Sequence, residues 1–395
     1  EQEAKTLKNN QSRFLERSDL LLMSNLPGDL VEEILCRVPA TSLSQLRYAC
    51  KQWNNIFNNR TFTRKHSDKA AKQFLVLMSK HVKVCLMRVN FYGDPSIEIK
   101  GEHGLTNPQA GLDDFRIFKV SHCDGLLLCN NIKYNRIVVW NPCTGQTKWI
   151  QIQSKKVRSY VLGSYQDKNY GDTTSYKILS FDGKKNNEFE IYELNSNLWK
   201  TLDLTLDCET RLGDHGKSLK GKTYWLASDE EQPFMVLVYF DYTREIFERL
   251  LLPFQSIYYF AISLSVVREE KISVLLMHGD KDAPRTEIWL TNKIDDTKVV
   301  SWSKFLTVDK PDHFIWDLID FLVVEEKKII VCCHFSSRGA LPFKQVVYIV
   351  GEDNKVKQVY SGSTLSVPSL FYYVPSLTQI QASSLGKPYR RWEDE

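Results

Sequence analysis

The stretch that decides the fold at the N-terminal end is Asn25–His66, which reads NLPGDLVEEILCRVPATSLSQLRYACKQWNNIFNNRTFTRKH. Pro27 suits the first turn of a helix, where its missing N–H leaves no hydrogen bond unmade, and Asp29 suits the positive end of the helix dipole. At about 100° per residue, one arc of roughly 140° carries Leu30, Val31, Ile34, Leu35 and Val38. Pro39 is expected to end this helix.

A second helix is predicted after Ser42, whose side chain can cap it. One arc of roughly 120° on this helix carries Leu43, Leu46, Ala49, Cys50 and Trp53. A third helical piece carries Ile56, Phe57 and Phe62. Three helices in about 40 residues bury too little surface to be stable alone. Their surplus apolar surface must be covered either by the rest of the chain or by a partner protein.

The same stretch resembles the F-box, the adaptor-binding motif of SCF-type cullin–RING ubiquitin ligases. The likeness lies in the order Leu-Pro, Asp-Leu, Ile-Leu, Arg-Val-Pro, Ser-Leu, Arg, Cys-Lys-x-Trp, Phe and His between Leu26 and His66. Ala49 departs from the pattern, because a Val is more usual there. The resemblance implies docking to a Skp-type adaptor, and through it to cullin and RING subunits. It implies as adaptor-binding residues Leu26, Pro27, Leu30, Ile34, Leu35, Leu43, Leu46 and Trp53. The alternative is an ordinary helical subdomain packed on its own core.

From Phe74 onward the pattern becomes strand-like, with short β-branched and aromatic runs broken by Gly, Asn and Asp. One half of a repeat is an apolar hairpin through a polar turn, seen at 123–129, 220–226, 268–276 and 325–331. The other half is a strand, a turn and an aromatic return, as in Ile137–Trp149 with its Asn141-Pro142-Cys143-Thr144-Gly145 turn. The recurrences lie about 45 to 60 residues apart, which is typical of propeller blades.

The fold class predicted from this repeat is a small all-α F-box of about three helices followed by an all-β propeller. Six blades are counted, with five or seven as alternatives. The strand Leu365–Tyr373 is expected to close the ring beside the first strands, because closure leaves no sheet edge exposed. The tryptophans are interpreted as packing between blades; they are Trp140, Trp149, Trp199, Trp225, Trp289 and Trp302.

Residues 118 to about 305 also resemble the F-box-associated, kelch-like domain of large plant F-box families. The motifs are Ser121-His122-Cys123-Asp124-Gly125-Leu126-Leu127, Val139-Trp140-Asn141-Pro142-x-Thr144-Gly145, Tyr192-x-x-x-Ser196-x-x-Trp199, Tyr224-Trp225-Leu226-Ala227, Phe240-Asp241-Tyr242 and Glu287-Ile288-Trp289. Where the family usually has a Tyr-Asp-Pro turn, this chain has Tyr165-Gln166-Asp167. The boundaries of that blade are therefore left open.

We expect three regions in the chain: a mobile tail at 1–22, the F-box at 23–70 and the propeller at 71–395.

Composition indicates where in the cell the protein is found. The first residues lack the apolar core of a secretory signal, and the longest apolar runs are strand-sized, so no membrane span is expected. The nine cysteines form no zinc-type spacing, and most are expected to be buried thiols. We therefore expect a soluble protein of the cytoplasm, the nucleus or both.

Nucleic acid is not an expected partner. Residues 1–73 hold 12 Lys and Arg against 8 Asp and Glu, a surplus of four that equals the net charge of +4 of the whole chain. Residues 74–395 are therefore formally neutral, whereas a nucleic-acid reader usually carries a basic stripe.

No catalytic, cofactor or metal site is predicted. The eight histidines are scattered, and the sequence holds no H-E-x-x-H, G-x-S-x-G, Walker or G-x-G-x-x-G motif. His122 and Cys123 are adjacent on a strand and point to opposite faces, so they cannot act as base and nucleophile. Asp280, Asp282 and Glu287 could line a cation-binding loop, but such a cluster is usually solvated.

The function predicted is that of a substrate receptor without catalytic activity. The F-box resemblance implies adaptor binding, and the propeller would hold an unknown target protein through its loops. Two alternatives are a propeller-fold enzyme with an adaptor-binding tail and a non-degradative F-box scaffold. Candidate loops for the target are Asp167–Thr174, Asp182–Glu188, Asp229–Gln232, Asp280–Arg285 and Ser336–Pro342, and the sequence does not choose among them.

Overall fold

The structure is a computed structural model of the 395-residue chain. It describes residues 26–47, 51–70, 72–80, 82–90, 95–106, 114–131, 136–152, 158–167, 173–182, 185–204, 211–212, 215–228, 235–253, 259–278, 285–294, 299–309, 318–336, 342–353, 355–365 and 368–380. The chain divides into two compact units. A helical unit contains Glu1–Gln73 and Pro375–Gln379, and a propeller unit contains Phe74–Val374 and Ile380–Glu395. The tail predicted at 1–22 lies outside the described residues.

The described part of the helical unit has four helices, where the sequence predicted about three. They are α1 (Gly28–Leu35), α2 (Ala40–Leu46), α3 (Lys51–Phe57) and α4 (Arg60–Lys69). Pro27 and Pro39 each stand immediately before a helix, with φ of −52° and −55°, since the proline ring presets the backbone for a helix start. The prediction that Ser42 caps the second helix is wrong, because Ser42 lies inside α2.

We predicted that the second apolar arc lies on a single helix, but its residues are divided between two helices. Leu43 and Leu46 lie on α2, whereas Trp53 lies on α3. Phe57 and Phe62 are separated in the same way, because the Asn59 side chain accepts a hydrogen bond of 2.8 Å from the Thr61 N–H and starts α4.

The core of the helical unit is small and aromatic. The rings of Phe57 and Phe62 lie 5.6 Å apart, and both side chains are buried. His66 on α4 is also buried, and its Nε2 lies 2.8 Å from the carbonyl oxygen of Val38, which ties α4 to the segment after α1. Burial lowers the pKa of His66, so the ring favours its neutral form.

The described strands of the propeller unit form six blades, as predicted. Each blade is an antiparallel sheet of four strands except the fourth blade, where two short strands share the inner position. Blade 1 is β27 (Leu370–Tyr373), β1 (Leu75–Lys80), β2 (Lys83–Asn90) and β3 (Ser96–His103); blade 2 is β6 (Ile117–Cys123), β7 (Leu126–Asn131), β8 (Arg136–Trp140) and β9 (Thr147–Gln151); blade 3 is β10 (Ser159–Asp167), β11 (Thr173–Asp182), β12 (Lys185–Glu193) and β13 (Leu198–Leu202). Blade 4 is β14 (Arg211–Leu212), β15 (Lys217–Leu219), β16 (Lys222–Ser228), β17 (Met235–Asp241) and β18 (Ile246–Leu250); blade 5 is β19 (Tyr259–Val267), β20 (Lys271–His278), β21 (Arg285–Thr291) and β22 (Trp302–Asp309); blade 6 is β23 (Leu318–Val324), β24 (Ile329–Ser336), β25 (Phe343–Gly351) and β26 (Val356–Thr364). A separate pair is formed by β4 (Leu105–Thr106) and β5 (Asp114–Phe115), and a 3-10 turn spans Glu325–Lys327.

The ring is closed by a strand from the C-terminal end of the chain. β27 pairs antiparallel with β1, from Leu75 opposite Tyr373 to Met78 opposite Leu370. The closure predicted for Leu365–Tyr373 is therefore confirmed, with the pairing confined to the last four residues of that stretch. One blade built from both chain ends removes two exposed sheet edges.

Among the residues that the structure describes, six apolar clusters fill the spaces between neighbouring blades. Blades 3 and 4, for example, share a cluster that contains Phe181, Phe189, Trp225 and Phe240. The remaining clusters join the other five pairs of neighbouring blades around the ring. The prediction that the tryptophans pack between blades is confirmed, because each of the six lies in or against such a cluster.

The first hairpin of several blades turns through left-handed residues. The Asp124-Gly125 turn has φ of 48° and 78°, and the Lys220-Gly221 turn has 48° and 75°. Tight turns of this kind match the right-handed twist of the strands that they join. Blade 3 differs, because Tyr165-Gln166-Asp167 forms no turn and continues β10 in register until Asp167 stands opposite Thr173. This register settles the blade boundary that the sequence left open.

Candidate functional site

An exposed apolar patch lies at the start of the helical unit. Leu26 is 40% exposed, Leu30 is 50% exposed and Ile34 is 43% exposed, and Pro27 beside them is also exposed. Leu30 and Ile34 are four residues apart on α1 and share one face of that helix. We call Leu26, Pro27, Leu30 and Ile34 the α1 apolar patch. Large aliphatic side chains with this exposure are the kind of surface that a partner protein covers.

The other residues predicted at the adaptor have different surroundings. Leu35, Leu43 and Trp53 are each no more than 2% exposed, and Leu46 is half-buried. The structure therefore separates the predicted set into four residues at the surface and four within or near the core of the helical unit. Periodicity cannot make this separation, because it places Leu30, Ile34 and Leu35 in one arc.

Charged side chains of α4 form ion pairs with acidic side chains of α1. Lys65 Nζ lies 2.6 Å from Oε1 of Glu32, and Lys69 Nζ lies 2.9 Å from Oε1 of Glu33. Arg37 also pairs with Glu33. Hydrogen bonds from Lys69 and Arg37 lower the pKa of the Glu33 carboxyl, so it stays ionised. These ion pairs and the buried side chains of Val31 and Leu35 fix the orientation of α1. In this orientation the α1 apolar patch faces outward.

A second polar arrangement lies among the inner strands of the propeller. Lys217 Nζ of β15 lies 2.8 Å and 2.9 Å from the two carboxylate oxygens of Asp320 on β23, and Asp320 is buried. The Leu370 N–H of the closing strand donates to Oδ2 of Asp320 at 3.1 Å. One carboxylate thus joins three inner strands. Sequence reasoning missed this residue, although an aspartate inside the apolar run Leu318–Val324 was the available signal.

His122 and Cys123 do not form an activated pair. His122 Nε2 accepts a hydrogen bond of 3.1 Å from the Gly125 N–H, and its ring stacks 5.5 Å from that of Phe371. Burial and then the Lys217 charge lower the pKa of His122 to about 4, whereas burial raises the pKa of the Cys123 thiol well above its ordinary value. A neutral imidazole beside a neutral thiol is the opposite of a nucleophilic cysteine site.

The three acidic residues considered for a cation-binding loop do not form such a site among the described residues. Glu287 is buried and accepts hydrogen bonds from Trp289 Nε1 at 2.9 Å and Lys304 Nζ at 2.5 Å. Asp280 and Asp282 lie outside the described residues. Among the residues that the structure describes, no group of His, Cys, Asp and Glu is arranged to hold a metal ion. None of the helices in this part of the chain has the length and hydropathy that a membrane span requires.

The cysteines within the described residues are buried, as predicted. Burial raises the pKa of Cys85 and of Cys333 to about 12, so neither thiol is a good nucleophile near neutral pH. The cysteines that the structure describes are Cys36, Cys85, Cys123, Cys129, Cys143, Cys332 and Cys333.

The loops predicted to hold a target occupy two kinds of position in the strand order. Four of them join the second and third strands of a blade: Asp182–Glu188 in blade 3, Asp229–Gln232 in blade 4, Asp280–Arg285 in blade 5 and Ser336–Pro342 in blade 6. Asp167–Thr174 joins the first two strands of blade 3. Asp182–Glu188 is mostly strand, because β12 begins at Lys185. The connecting residues 168–172, 183–184, 229–234, 279–284 and 337–341 lie outside the described residues.

Comparison with known families identifies both units. Residues 23–65 match the F-box domain, and residues 74–380 match the F-box associated beta propeller domain. The chain belongs to the F-box proteins with an F-box-associated β-propeller. Both resemblances drawn from the sequence are thereby confirmed. The F-box implies that this F-box protein binds a Skp-type adaptor, and the two domains together support the general role of an SCF substrate receptor.

Relatives of this F-box protein extend over nearly its whole length. A probable F-box protein of Arabidopsis thaliana is 53% identical over 395 residues, which cover 98% of this chain and 94% of the relative. A second, putative F-box protein of the same plant is 49% identical and covers 91% of this chain and 99% of the relative. An Arabidopsis thaliana F-box/kelch-repeat protein is 41% identical, with 91% and 97% covered.

Solved structures resemble the propeller only distantly. An oligogalacturonate lyase from Vibrio parahaemolyticus is matched with a TM-score of 0.38 and 6% identity, covering 72% of this chain and 78% of that one. These values are too low to carry an argument about activity.

Proposed function

We propose that this F-box protein is the substrate-recognition subunit of an SCF-type ubiquitin ligase, which recruits a target protein for ubiquitination and proteasomal degradation. The observation that carries the proposal is the α1 apolar patch, an exposed aliphatic surface inside the F-box match. The propeller would hold the target, and the adaptor would connect the receptor to cullin and RING subunits. The receptor itself forms no covalent bond, since proximity alone raises the effective concentration of a target lysine near the conjugating enzyme.

The proposed adaptor interface has a contacting layer and a supporting layer. Leu26, Pro27, Leu30 and Ile34 would contact the adaptor, and each aliphatic side chain would contribute about 1.5–3 kcal/mol if the partner buried it fully. Leu35, Leu43, Leu46 and Trp53 would hold α1, α2 and α3 beneath that surface. In this division only the contacting layer changes its exposure when the adaptor binds.

The adaptor is the first thing to test. The variant Leu30→Ala/Ile34→Ala in the full chain should abolish co-purification of a Skp-type adaptor, because both side chains lie in the contacting layer. The matched control is Leu198→Ala/Leu251→Ala, which removes two aliphatic side chains of the propeller unit that are 67% and 70% exposed. The control should bind the adaptor normally. Equal binding by both variants would contradict the proposed interface.

Degradation is a separate step with its own measurement. A protein captured by the propeller should have a longer half-life in cells with Leu30→Ala/Ile34→Ala than with the unchanged chain, because the variant holds the target away from the ligase. An unchanged half-life would instead favour the non-degradative scaffold. A turnover activity that survives in the variant would favour the propeller-fold enzyme.

The remaining assignments form part of the same proposal. The functional division is a tail at 1–22, an F-box at 23–70 and a target-binding propeller at 71–395. The protein partners are the adaptor and the target, with no nucleic acid or membrane partner and no cofactor. The compartment is the cytoplasm, the nucleus or both, where SCF-type ligases would meet their targets. Fractionation of cells that express the full chain tests the compartment directly.

A further inference from the structure

The helical unit contains a segment from the far end of the chain. The closing strand β27 ends at Tyr373, and Val374 after it still belongs to the propeller unit. Pro375–Gln379 belong to the helical unit with residues up to Gln73. We call Pro375–Gln379 the C-terminal strap. Ile380, the residue that follows, belongs again to the propeller unit. The F-box match stops at residue 65, and the propeller match runs to residue 380 across the strap.

The strap supplies a hydrogen bond that α3 cannot make for itself. Phe57 is the last residue of α3, and the final carbonyl groups of a helix have no partner within the helix. Gln379 Nε2 donates to the carbonyl oxygen of Phe57 at 3.3 Å. Arg47, the residue after α2, donates from its Nη2 to the same oxygen at 3.4 Å. The end of α3 is thus capped by a residue 322 positions away in the chain.

Apolar side chains of the strap are buried. Leu377 is 1% exposed, and Pro375 is buried as well. The strap keeps its shape through local contacts, since the Thr378 N–H donates to Ser376 Oγ at 3.1 Å and Gln379 Nε2 donates to the Leu377 carbonyl oxygen at 2.8 Å. The helices of this unit lie between Gly28 and Lys69, and a helical core of that size gains a large relative benefit from one more buried leucine.

We propose that the C-terminal strap is an integral part of the adaptor-binding unit, with Leu377 and Gln379 as positioning residues for α2 and α3. The inference rests on the proposed adaptor binding by the helical unit. α2 carries Leu43 and α3 carries Trp53, the buried side chains that support the adaptor surface. An intact strap is therefore required for full adaptor affinity, although no strap residue contacts the adaptor.

Two buried aliphatic residues, three positions apart, provide matched variants. Leu377 belongs to the helical unit, whereas Ile380 is 5% exposed in the cluster between blades 2 and 3 and its N–H donates to Gln146 Oε1 at 3.0 Å. Leu377→Ala and Ile380→Ala remove similar side chains from neighbouring positions. The proposal predicts that Leu377→Ala loosens the helical unit, whereas Ile380→Ala loosens the propeller unit.

The experiment measures both units in the full chain. Leu377→Ala should speed amide hydrogen exchange in α3 by about tenfold or more and weaken adaptor binding, with the propeller strands unchanged. Gln379→Glu, which removes the donor at the Phe57 carbonyl, should change α3 in the same direction. Ile380→Ala should speed exchange in blades 2 and 3 and leave α3 and adaptor binding unchanged.

Two results would overturn the proposal. One is unchanged α3 exchange and unchanged adaptor affinity in both Leu377→Ala and Gln379→Glu. The other is a Leu377→Ala pattern that coincides with that of Ile380→Ala. Failure of the proposed function is recognised separately: if the unchanged chain binds no adaptor, the exchange of α3 still decides whether the strap belongs to the helical unit.

Discussion

Gly163 on β10 and Tyr242 after β17 approach so closely that a Cβ atom on residue 163 would lie 1.9 Å from Cε2 of the tyrosine ring. Tyr242 is completely buried between blades 3 and 4. The Thr223 side chain donates to its hydroxyl oxygen at 3.0 Å, which fixes the ring in place. The absence of a side chain at residue 163 therefore makes room for the aromatic ring of the next blade.

Gly163→Ala should destabilise the propeller because the added methyl group overlaps a ring that cannot move away. Overpacking of a filled core typically costs about 1–3 kcal/mol, and an overlap this severe should reach the upper part of that range. Gly104→Ala is the control, since its Cβ would meet the nearest atom of Lys83 at an ordinary 3.6 Å. Denaturant unfolding of both variants measures the difference, and equal midpoints would contradict the close approach.

Removal of the Asp320 carboxylate should destabilise the ring more than removal of an exposed ion pair. Asp320→Ala leaves the Lys217 ammonium and the Leu370 N–H without their acceptor, and breaking a buried pair typically costs about 3–5 kcal/mol. Lys328→Ala, which breaks the exposed pair with Glu352, should change the free energy of unfolding by less than about 1 kcal/mol.

A double-mutant cycle shows whether Lys217 and Asp320 act together. Lys217→Met/Asp320→Ala should cost less than the sum of the single changes, because the double variant leaves no unpaired charge in the site. Additive effects would mean that the two side chains do not interact in solution.

His122 should make the propeller sensitive to acid. Its pKa in the folded chain is about 4, against an ordinary value of 6.5, so between these pH values the unfolded chain binds a proton that the folded chain does not. Stability contributed by the neutral ring is present above pH 6.5 and is lost as the pH falls toward 4, by up to about 1.4 kcal/mol per pH unit. His122→Gln should flatten the fall in melting temperature between pH 6.5 and 4.5.

Asp320 changes the stability of the propeller with pH in the direction opposite to His122. Burial, the largest cause, raises the pKa of its carboxyl, so this residue favours the folded state more as the pH falls. His66, whose pKa burial lowers, acts in the same sense as His122 but belongs to the helical unit. The His122→Gln comparison is therefore made on the unfolding transition of the propeller, and an unchanged pH slope would show that His122 does not titrate there.

The closing strand should be indispensable to a soluble propeller. A chain that ends at residue 360 lacks β27, which exposes the edge of β1 and removes the contacts that Leu370 and Tyr373 make between blades. We expect this fragment to aggregate in size-exclusion chromatography. A chain that ends at residue 380 retains β27 and should remain monomeric. A monomeric shorter fragment with an unchanged melting temperature would rule out closure by β27.

Several features of this protein follow from its sequence alone. The change from a helical to a strand period near Phe74, the repeated hairpins and the six blades all depend on residues close together in the chain. Left-handed turns such as Asp124-Gly125 and the buried tryptophans depend on the same local patterns. The order of residues between Leu26 and His66 was sufficient to indicate an F-box, even though Ser42 lies inside a helix and does not cap it as predicted.

Other features depend on contacts between distant parts of the chain, and these only the tertiary structure decided. Lys217 and Asp320 are 103 residues apart, and Gln379 caps a helix 322 residues before it. Leu30 and Leu35 look alike in the periodic pattern, yet one is 50% exposed and the other 1%, because burial is determined by the elements that pack around a helix. Sequence periodicity specifies which face of an element is apolar, whereas the partner that covers that face is specified only by the folded chain.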